Sequence, residues 1–181
     1  MISISYKKVQ DQDLSKAAWV LLDEACRGRG VDEVRSQIVR GENGKPYIKG
    51  NPFFFNLSHS GRYALCVLSD TEIGCDTQKT TEPRQSVLER VLHRTEREYI
   101  EAAPDARQMA QRFTRIWVLR ESYVKQTGEG LLRSMKSYHF CFEEDQPQLC
   151  LDCPSPYGER RLAFKEFEVD GYLCAYCYEL T

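Results

Sequence analysis

The spacing of apolar residues along this chain changes twice from helical to strand-like, and this order restricts the fold more than any other feature. Between residues 14 and 25, apolar side chains recur every three or four positions, which predicts a helix that Gly28 ends. Residues 31–50 are polar and predict loops. Short apolar runs then predict three strands, at residues 53–57, 63–68 and 73–76.

The second half of the chain repeats the order of helix followed by strands. After a linker at residues 80–83, Thr95 and Glu98 fit a capping box. Pro104 separates this helical stretch from a longer one, which Gly128 ends. Four further strands are expected, at residues 138–142, 148–151, 162–168 and 172–178.

This order predicts an α+β fold. We expect two similar α/β lobes in a pseudo-twofold arrangement, with antiparallel sheets and packed helices. The N-terminal lobe is placed at residues 1–78 and the C-terminal lobe at residues 79–181. A chain of 181 residues is long enough to bury a core of its own without disulfides.

Charge and hydropathy exclude several classes of protein. The chain has 25 basic and 27 acidic residues, whereas a nucleic-acid-binding domain is expected to be strongly basic. No run approaches the ~18 apolar residues that span a bilayer, and the first residues lack the apolar stretch of a signal peptide. We therefore expect a cytoplasmic protein whose partners are neither nucleic acid nor membrane.

The eight cysteines allow two interpretations. Five lie in apolar or alternating runs, where cysteine behaves as a small buried hydrophobic residue. The spacing Cys150-x2-Cys153 followed by Cys174-x2-Cys177 also fits a four-thiolate zinc ribbon. However, the last two thiols fall in a predicted strand, where positions three apart point to opposite faces. Burial is therefore favoured, and a zinc-ribbon interaction protein is the remote alternative.

Two segments of the first half carry residues suited to phosphate or metal chemistry. His59, flanked by Ser58 and Ser60 in a predicted loop, could donate to a phosphate, although a turn histidine without a role explains it as well. Asp76 ends a short apolar strand and shares a strand face with Gln78, so both could reach one hard cation. An aspartate that caps a turn is the alternative.

The third segment is the helix that contains Glu121 and Lys125. These residues are four apart and face the same way, which by itself indicates a surface ion pair. Trp117 lies one turn earlier on that face, and an indole is more often found in a cleft than in open water. A carboxylate pair, a histidine and a lysine together indicate phosphoryl-type transfer. P-loop and dinucleotide-binding motifs are absent from the sequence.

Four motifs, in this order, resemble those of the 4′-phosphopantetheinyl transferases of the monomeric, two-lobed (Sfp-like) type. They are Gly44-Lys45-Pro46, residues 55–61 (FNLSHSG), residues 73–76 (IGCD) and residues 117–131 (WVLRESYVKQTGEGL). The resemblance implies a holo-carrier-protein synthase that acts as a monomer. Such an enzyme moves the phosphopantetheine arm of coenzyme A onto a serine of an apo acyl- or peptidyl-carrier protein and leaves adenosine 3′,5′-bisphosphate.

The resemblance also implies roles for individual residues. Asp76 and Glu121 look like ligands of a Mg²⁺ that grips the coenzyme A pyrophosphate, and Glu121 looks like the base for the carrier serine. Lys125 looks like the residue that balances the pyrophosphate charge. Gln78 stands where the family commonly has a glutamate, and an amide is a poorer Mg²⁺ ligand than a carboxylate. This departure favours an alternative, a coenzyme A-binding member of the same fold with little or no activity.

Further residues are expected to bind coenzyme A. By the resemblance, Ser58 and His59 are phosphate contacts and Lys45 is a coenzyme A-binding lysine. The basic residues considered for the 3′-phosphate are Lys16, Arg27, Arg29 and Arg35.

Overall fold

Two three-stranded antiparallel sheets of the same design form the framework of the protein. The computed structural model describes residues 1–10, 13–50, 52–130, 136–152 and 160–180. In chain order, its elements are β1 (Ile2–Lys8), α1 (Leu14–Arg27), a short 3-10 helix (Val34–Gln37), β2 (Ile38–Arg40), β3 (Pro46–Ile48), β4 (Phe54–Ser60), β5 (Tyr63–Ser69), β6 (Ile73–Lys79), α2 (Gln85–Val91), α3 (Arg94–Glu101), α4 (Ala106–Thr127), β7 (Tyr138–Glu143), β8 (Gln146–Leu151), β9 (Leu162–Val169) and β10 (Tyr172–Glu179).

The strand order is β1-β5-β4 in the first sheet and β6-β10-β9 in the second. For each sheet, the chain therefore forms one strand first, then a segment that contains helices, and finally a hairpin. The second strand of that hairpin lies in the centre of the sheet. This arrangement confirms the α+β fold with antiparallel sheets and packed helices. Because β6 is hydrogen-bonded to β10, the strand that carries Asp76 belongs to the second sheet. The division into lobes at residue 78 stays a prediction.

Helix α1 covers the first sheet. The Asp13 carboxylate accepts from the backbone N–H groups of Ser15 and Lys16 and so begins the helix. Its apolar stripe, which includes Leu21 and Leu22, is buried with β4 and β5 in one core cluster. All seven residues of β5 are buried, as expected for a central strand.

Helix α4 covers the second sheet and carries most of the predicted site. The Asp105 side chain accepts from the Gln108 N–H at 2.7 Å, and Gly128 ends the helix with φ of 71°. A second core cluster joins α2, α3 and α4 to β7 and β10. A third cluster, formed by Leu65, Val67, Ile73, Cys75 and Cys174, lies between the two sheets.

Several local predictions were wrong. The predicted loop at residues 58–62 is mostly strand, because β4 extends to Ser60 and only Gly61 and Arg62 form the turn. The capping box begins two residues earlier than predicted. His93 is the N-cap, and its N–H donates to Glu96 at 2.9 Å. The polar stretch at residues 31–50 contains the β2–β3 hairpin.

The seven cysteines in the described part of the chain do not come together as a zinc ribbon would require. Cys150 lies 3.0 Å from Cys141, Sγ to Sγ. Cys174 and Cys177 lie in β10 and belong to different core clusters, which places their thiols on opposite faces as predicted. Cys153 lies outside the described residues. Five cysteines are buried, which agrees with the favoured interpretation: Cys26, Cys66, Cys75, Cys174 and Cys177. Among the described helices, none has the length and apolarity needed to cross a membrane.

Candidate functional site

A cavity of about 610 Å³ lies beside one face of α4. Trp117, Glu121, Lys125 and Gly128 line it at intervals of three or four residues, as one helical face should. This arrangement agrees with the expectation that Trp117 marks a cleft. The rest of the lining comes mainly from the β2–β3 turn and from β4: Asn43, Gly44, Lys45, Pro46, Asn56, Leu57, Val91, Val124 and Gly130.

Gly74 allows α4 to pack directly against β6. A Cβ atom at this position would lie 2.1 Å from the Ser122 carbonyl oxygen and 2.2 Å from the Gln126 nitrogen. Both of these are helix backbone atoms, which cannot move aside as a flexible side chain could. Asp76 lies two residues along β6, so its side chain projects toward the same helix. The glycine therefore sets the distance at which a strand residue can contact α4.

Asp76 and Lys125 form an ion pair across this contact. Lys125 Nζ lies 2.6 Å from Asp76 Oδ1, and Asp76 is 6% exposed. Burial, the largest single influence on Lys125, lowers the pKa of its ammonium. The charge of Asp76 and its hydrogen bond, together with the charges of Cys75 and Glu121, outweigh burial, and the pKa of Lys125 is raised. Lys125 is therefore protonated and held at the cavity wall.

Ser58 completes the contact between these two charges. Its hydroxyl donates to Asp76 Oδ1 at 2.7 Å and accepts from Lys125 Nζ at 3.2 Å. It also accepts from the Thr77 N–H at 3.3 Å. A serine hydroxyl has one proton and two lone pairs, so these three bonds use its full capacity. In this arrangement Ser58 positions Asp76 and Lys125, and its predicted phosphate contact stays a prediction.

The bond from Thr77 is part of a seam between the two sheets. Alternate side chains of β4 accept hydrogen bonds from alternate backbone N–H groups of β6. Asn56 accepts from Cys75 at 2.9 Å and Ser60 accepts from Lys79 at 3.4 Å. These bonds satisfy edge donors of β6 that no strand pairs. They explain the Asn-x-Ser-x-Ser pattern of β4, in which the sequence predicted a strand at Asn56 but a loop at Ser58 and Ser60.

Glu121 lies on the cavity face of α4, one turn before Lys125. Burial is the largest influence on its carboxyl group and raises its pKa, and the nearby charge of Asp76 raises it further. Lys125 and Arg120 offset part of this increase. Two carboxylates from facing elements thus share one site, and the charge of Asp76 makes ionisation of Glu121 less favourable.

Lys45 lines the cavity, but its ammonium is bound to the protein. Nζ donates to Glu72 Oε2 at 2.7 Å, to the Ile73 carbonyl at 3.1 Å and to the Gln126 carbonyl at 2.9 Å. These bonds use all three protons of the ammonium group. Burial lowers the pKa of Lys45, and Glu72 opposes that shift. The role of Lys45 in binding coenzyme A stays a prediction. Glu72 is a partner that sequence reasoning missed, since nothing local links positions 27 apart.

The remaining predicted residues lie around this centre. Gln78 is half-buried and follows Asp76 on the same face of β6. His59 is exposed, and it lies two residues beyond the cavity-lining Leu57 on the same face of β4. The metal-ligand role of Gln78 and the phosphate contact of His59 stay predictions.

Two of the arginines considered for a 3′-phosphate have acidic partners. Arg29 lies 3.2 Å from Asp70 and Arg35 lies 2.7 Å from Asp23. A 3′-phosphate contact by any of these basic residues therefore stays a prediction.

A family model matches this chain. The model of the 4′-phosphopantetheinyl transferase superfamily covers residues 72–177, which include Asp76, Gln78, Glu121 and Lys125. This match spans more than half of the chain, and the protein therefore belongs to the 4′-phosphopantetheinyl transferase superfamily.

Individual relatives agree with this assignment. The chain is 33% identical over 138 residues to the 4′-phosphopantetheinyl transferase Sfp of Bacillus subtilis, covering 75% of this chain and 60% of that protein. It is 38% identical over 160 residues to the 4′-phosphopantetheinyl transferase AcpT of Salmonella typhi, covering 81% of each. The chain thus spans less than two thirds of the length of the Bacillus protein.

One solved structure supports the fold. The holo-[acyl-carrier-protein] synthase of Thermotoga maritima superimposes with a TM-score of 0.50 at 19% identity, over 60% of this chain and 62% of that one.

Proposed function

We propose that this protein transfers the 4′-phosphopantetheine arm of coenzyme A to a serine of an apo acyl- or peptidyl-carrier protein and releases adenosine 3′,5′-bisphosphate. The observation that carries the proposal is a charged cluster at the cavity, in which Glu121 and Lys125 line the wall and Asp76 pairs with Lys125. Membership of the transferase superfamily supports it, as does the 81% coverage of a relative with that name. We further propose that the protein acts as a monomer in the cytoplasm.

Glu121 acts as the base in this proposal. A serine hydroxyl is a weak nucleophile at its ordinary pKa and needs a group that accepts its proton. The raised pKa of Glu121 makes it a stronger proton acceptor than an exposed glutamate. Its position on the cavity face gives it access to a hydroxyl that enters from solvent.

Lys125 stabilises negative charge on the diphosphate in this proposal. Asp76 holds its ammonium at the wall of the cavity, and the hydroxyl of Ser58 fixes that contact. An ammonium close to a phosphate oxygen forms a charge-assisted hydrogen bond and favours departure of an anionic leaving group. Asp76 therefore has a positioning role in addition to any role as a metal ligand.

Asp76, Gln78 and Glu121 would hold Mg²⁺. The donor set fits a hard cation, because it offers two carboxylates and one amide oxygen. Burial and, after it, the charge of Asp76 raise the pKa of Glu121, and a bound cation would favour the charged carboxylate. When bound, Mg²⁺ supplies charge neutralisation on the diphosphate and orientation of the phosphorus for attack.

The remainder of the cavity suits an organic ligand. Its volume of about 610 Å³ lies within the ~300–1,000 Å³ of small-molecule sites. Leu57, Trp117 and Val124 supply apolar wall beside the charged cluster. The cavity therefore has a charged part and an apolar part. A ligand with a diphosphate at one end and less polar groups beyond it matches these two parts.

The test is intact-protein mass spectrometry of apo carrier proteins incubated with this protein, coenzyme A and Mg²⁺. We expect the carrier to gain the mass of one phosphopantetheine arm. The gain should disappear with Glu121→Ala and persist with Glu98→Gln, which changes an exposed glutamate on α3. Carriers from fatty-acid, polyketide and peptide synthesis should all be tried. No gain with any of them would contradict the proposal.

The second candidate function is binding of coenzyme A with little catalysis. Gln78 favours it, since this neutral residue occupies the face of β6 beside Asp76. Calorimetric binding of coenzyme A, together with no mass gain on any carrier, would support this candidate.

A further inference from the structure

We propose that His93, His139 and Asp152 form a site for one divalent transition-metal ion of the zinc type, separate from the proposed Mg²⁺ site. One ligand atom from each residue lies within 4.8 Å of the others. His93 is the N-cap of α3, His139 lies on β7 and Asp152 directly follows β8. Three separate elements therefore bring these side chains together.

The end of the β7–β8 hairpin places Asp152 beside His139. The Asp152 N–H donates to the Ser137 carbonyl at 3.0 Å, which continues the ladder one residue beyond β8. His139 is paired with Cys150 in that ladder. Asp152, two residues after Cys150, therefore lies on the same face of the hairpin as His139.

The contact between His139 and Asp152 has the spacing of two ligands of one ion. His139 Nδ1 lies 3.3 Å from Asp152 Oδ1. This nitrogen is buried and has no hydrogen-bond partner within the part of the chain that the structure describes. Two ligands with bonds of ~2.0–2.1 Å to a tetrahedral Zn²⁺ are separated by about 3.3 Å. An ion would give the nitrogen the partner that it lacks.

His93 can join this pair after one ring rotation. The imidazoles of His93 and His139 are stacked, with centroids 4.0 Å apart and planes within 16° of parallel. Their lone pairs therefore run side by side, and His93 must turn to share an ion. The turn gives up both contacts of His93 Nδ1 with Thr95, whose N–H donates to it at 3.3 Å and whose Oγ1 lies 2.9 Å from it. The N–H of His93 keeps its bond to Glu96, so half of the capping box remains.

The donor set selects the class of metal and leaves one position open. Two imidazoles and one carboxylate suit Zn²⁺ and similar ions better than Mg²⁺. Three protein ligands leave the fourth position to water or an external group. β7 and β8 form a two-stranded sheet of their own, and β7 packs against α3 and α4 in the second core cluster. The ion would join this hairpin to the start of α3 and stabilise the folded state.

The experiment is calorimetric titration of chelator-treated protein with ZnCl₂, in the Glu121→Ala background so that the other site contributes little. We expect one equivalent of Zn²⁺ and a rise in the melting temperature. His139→Ala and His93→Asn should each lose this equivalent, and asparagine keeps the N-cap of α3. His59→Ala is the matched control because it removes the remaining histidine, and it should retain the equivalent.

One further variant and one spectroscopic measurement separate this site from the nearby thiols. Cys141 and Cys150 lie 3.0 Å apart on the same hairpin and could bind zinc instead. The double substitution Cys141→Ser and Cys150→Ser should keep the zinc equivalent, and Co²⁺-loaded protein should lack a thiolate-to-cobalt charge-transfer band. Loss of binding in the serine variant would overturn the proposal. Unchanged binding in His139→Ala and His93→Asn, with circular dichroism showing folded protein, would overturn it equally.

Discussion

The ammonium of Lys125 lies 2.6 Å from the carboxylate of Asp76, across the contact between α4 and β6. This pair connects the two parts of the candidate site, because Lys125 belongs to the helix that carries Glu121 and Asp76 belongs to the strand that carries Gln78. Gly74 permits the contact and Ser58 fixes its geometry.

Substitution of Lys125 should abolish most of the activity. Lys125→Met keeps the aliphatic stem and removes the charge, so the diphosphate loses a positioned cation. We expect kcat for phosphopantetheine transfer to fall by about 10²-fold, the effect of removing one group that stabilises developing charge. Steady-state kinetics with Lys136→Met, an exposed lysine, as the control will measure it. Equal rates for the two variants would remove Lys125 from the mechanism.

Gly74→Ala should destabilise the protein strongly. The added methyl group meets two backbone atoms of α4 at 2.1 and 2.2 Å. Overpacking of this kind costs about 1–3 kcal/mol or more in free energy of unfolding. The control is Gly28→Ala, whose Cβ would lie 3.4 Å from its nearest neighbour and whose backbone is helical. Urea denaturation should show a large loss only for Gly74→Ala, and comparable stability of the two variants would contradict the packing argument.

Glu121 should make the metal-free protein less stable as the pH rises. Its pKa is higher in the folded protein than in the unfolded chain, so the folded state binds more protons between the two pKa values. The free energy of unfolding therefore falls as the pH rises through that interval, starting near the ordinary glutamate pKa of ~4.3. Glu121→Gln should remove this dependence.

Urea denaturation from pH 4 upward, with wild type and Glu121→Gln in the presence of a chelator, checks this expectation. Added Mg²⁺ should restore wild-type stability at high pH and leave the glutamine variant unchanged. If the free energy of unfolding of the wild type rose more steeply with pH than that of the variant, the expectation would be contradicted.

Glu96 and Arg120 form a fully buried ion pair whose loss should be costly. Arg120 Nη1 donates to both Glu96 oxygens, at 2.8 and 2.7 Å, and both side chains are 0% exposed. Glu96 also accepts from the Phe140 N–H at 3.0 Å, which joins α3 to β7. Removal of one partner leaves a buried charge without its counterion, at a cost of about 3–5 kcal/mol.

Glu96→Gln should therefore lower the melting temperature sharply. The exposed pair of Arg94 and Glu98 lies on the same short helix. Arg94→Ala, which removes that pair, should change the melting temperature little. Differential scanning calorimetry compares the two variants. Similar melting temperatures would show that the buried pair contributes no more than the exposed one.

Gln78→Glu should strengthen Mg²⁺ binding. The change adds a third carboxylate beside Asp76 on β6 and Glu121 on α4. A larger number of charged ligands raises the affinity of a site for a hard cation. We expect half-maximal transfer activity at a lower Mg²⁺ concentration than for wild type. Lys79→Glu, the exposed neighbour on the opposite face, is the control. An unchanged Mg²⁺ requirement for Gln78→Glu would place Gln78 outside the metal site.

Periodicity predicted most elements of this fold, because their apolar faces are regular. The predicted strand at residues 172–178 corresponds to β10 (Tyr172–Glu179), and Gly128 ends α4 as expected. β1 was missed, although the alternation of residues 2–6 (ISISY) is a strand signal. The helix face that carries Trp117 and Glu121 was predicted correctly, since spacing along one helix needs no tertiary information.

Contacts between distant residues could not be predicted in this way. Ser58 appeared to lie in a loop because β4 contains polar residues at its inward positions. Those side chains face inward to bond the backbone N–H groups of β6, as in the contact of Asn56 with Cys75. The bond of Lys45 to Glu72 likewise depends on how the β2–β3 turn lies against the start of β6, which the local sequence does not reveal.

The most direct test of the central claim compares transfer and binding in Glu121→Gln. Single-turnover transfer to an apo carrier protein should fall by about 10²–10⁴-fold, the range for loss of a general base. Calorimetry should show that coenzyme A still binds, since the cavity and Lys125 are retained. This result would establish Glu121 as a catalytic residue of a phosphopantetheinyl transferase. Transfer at the wild-type rate by the variant would contradict the account.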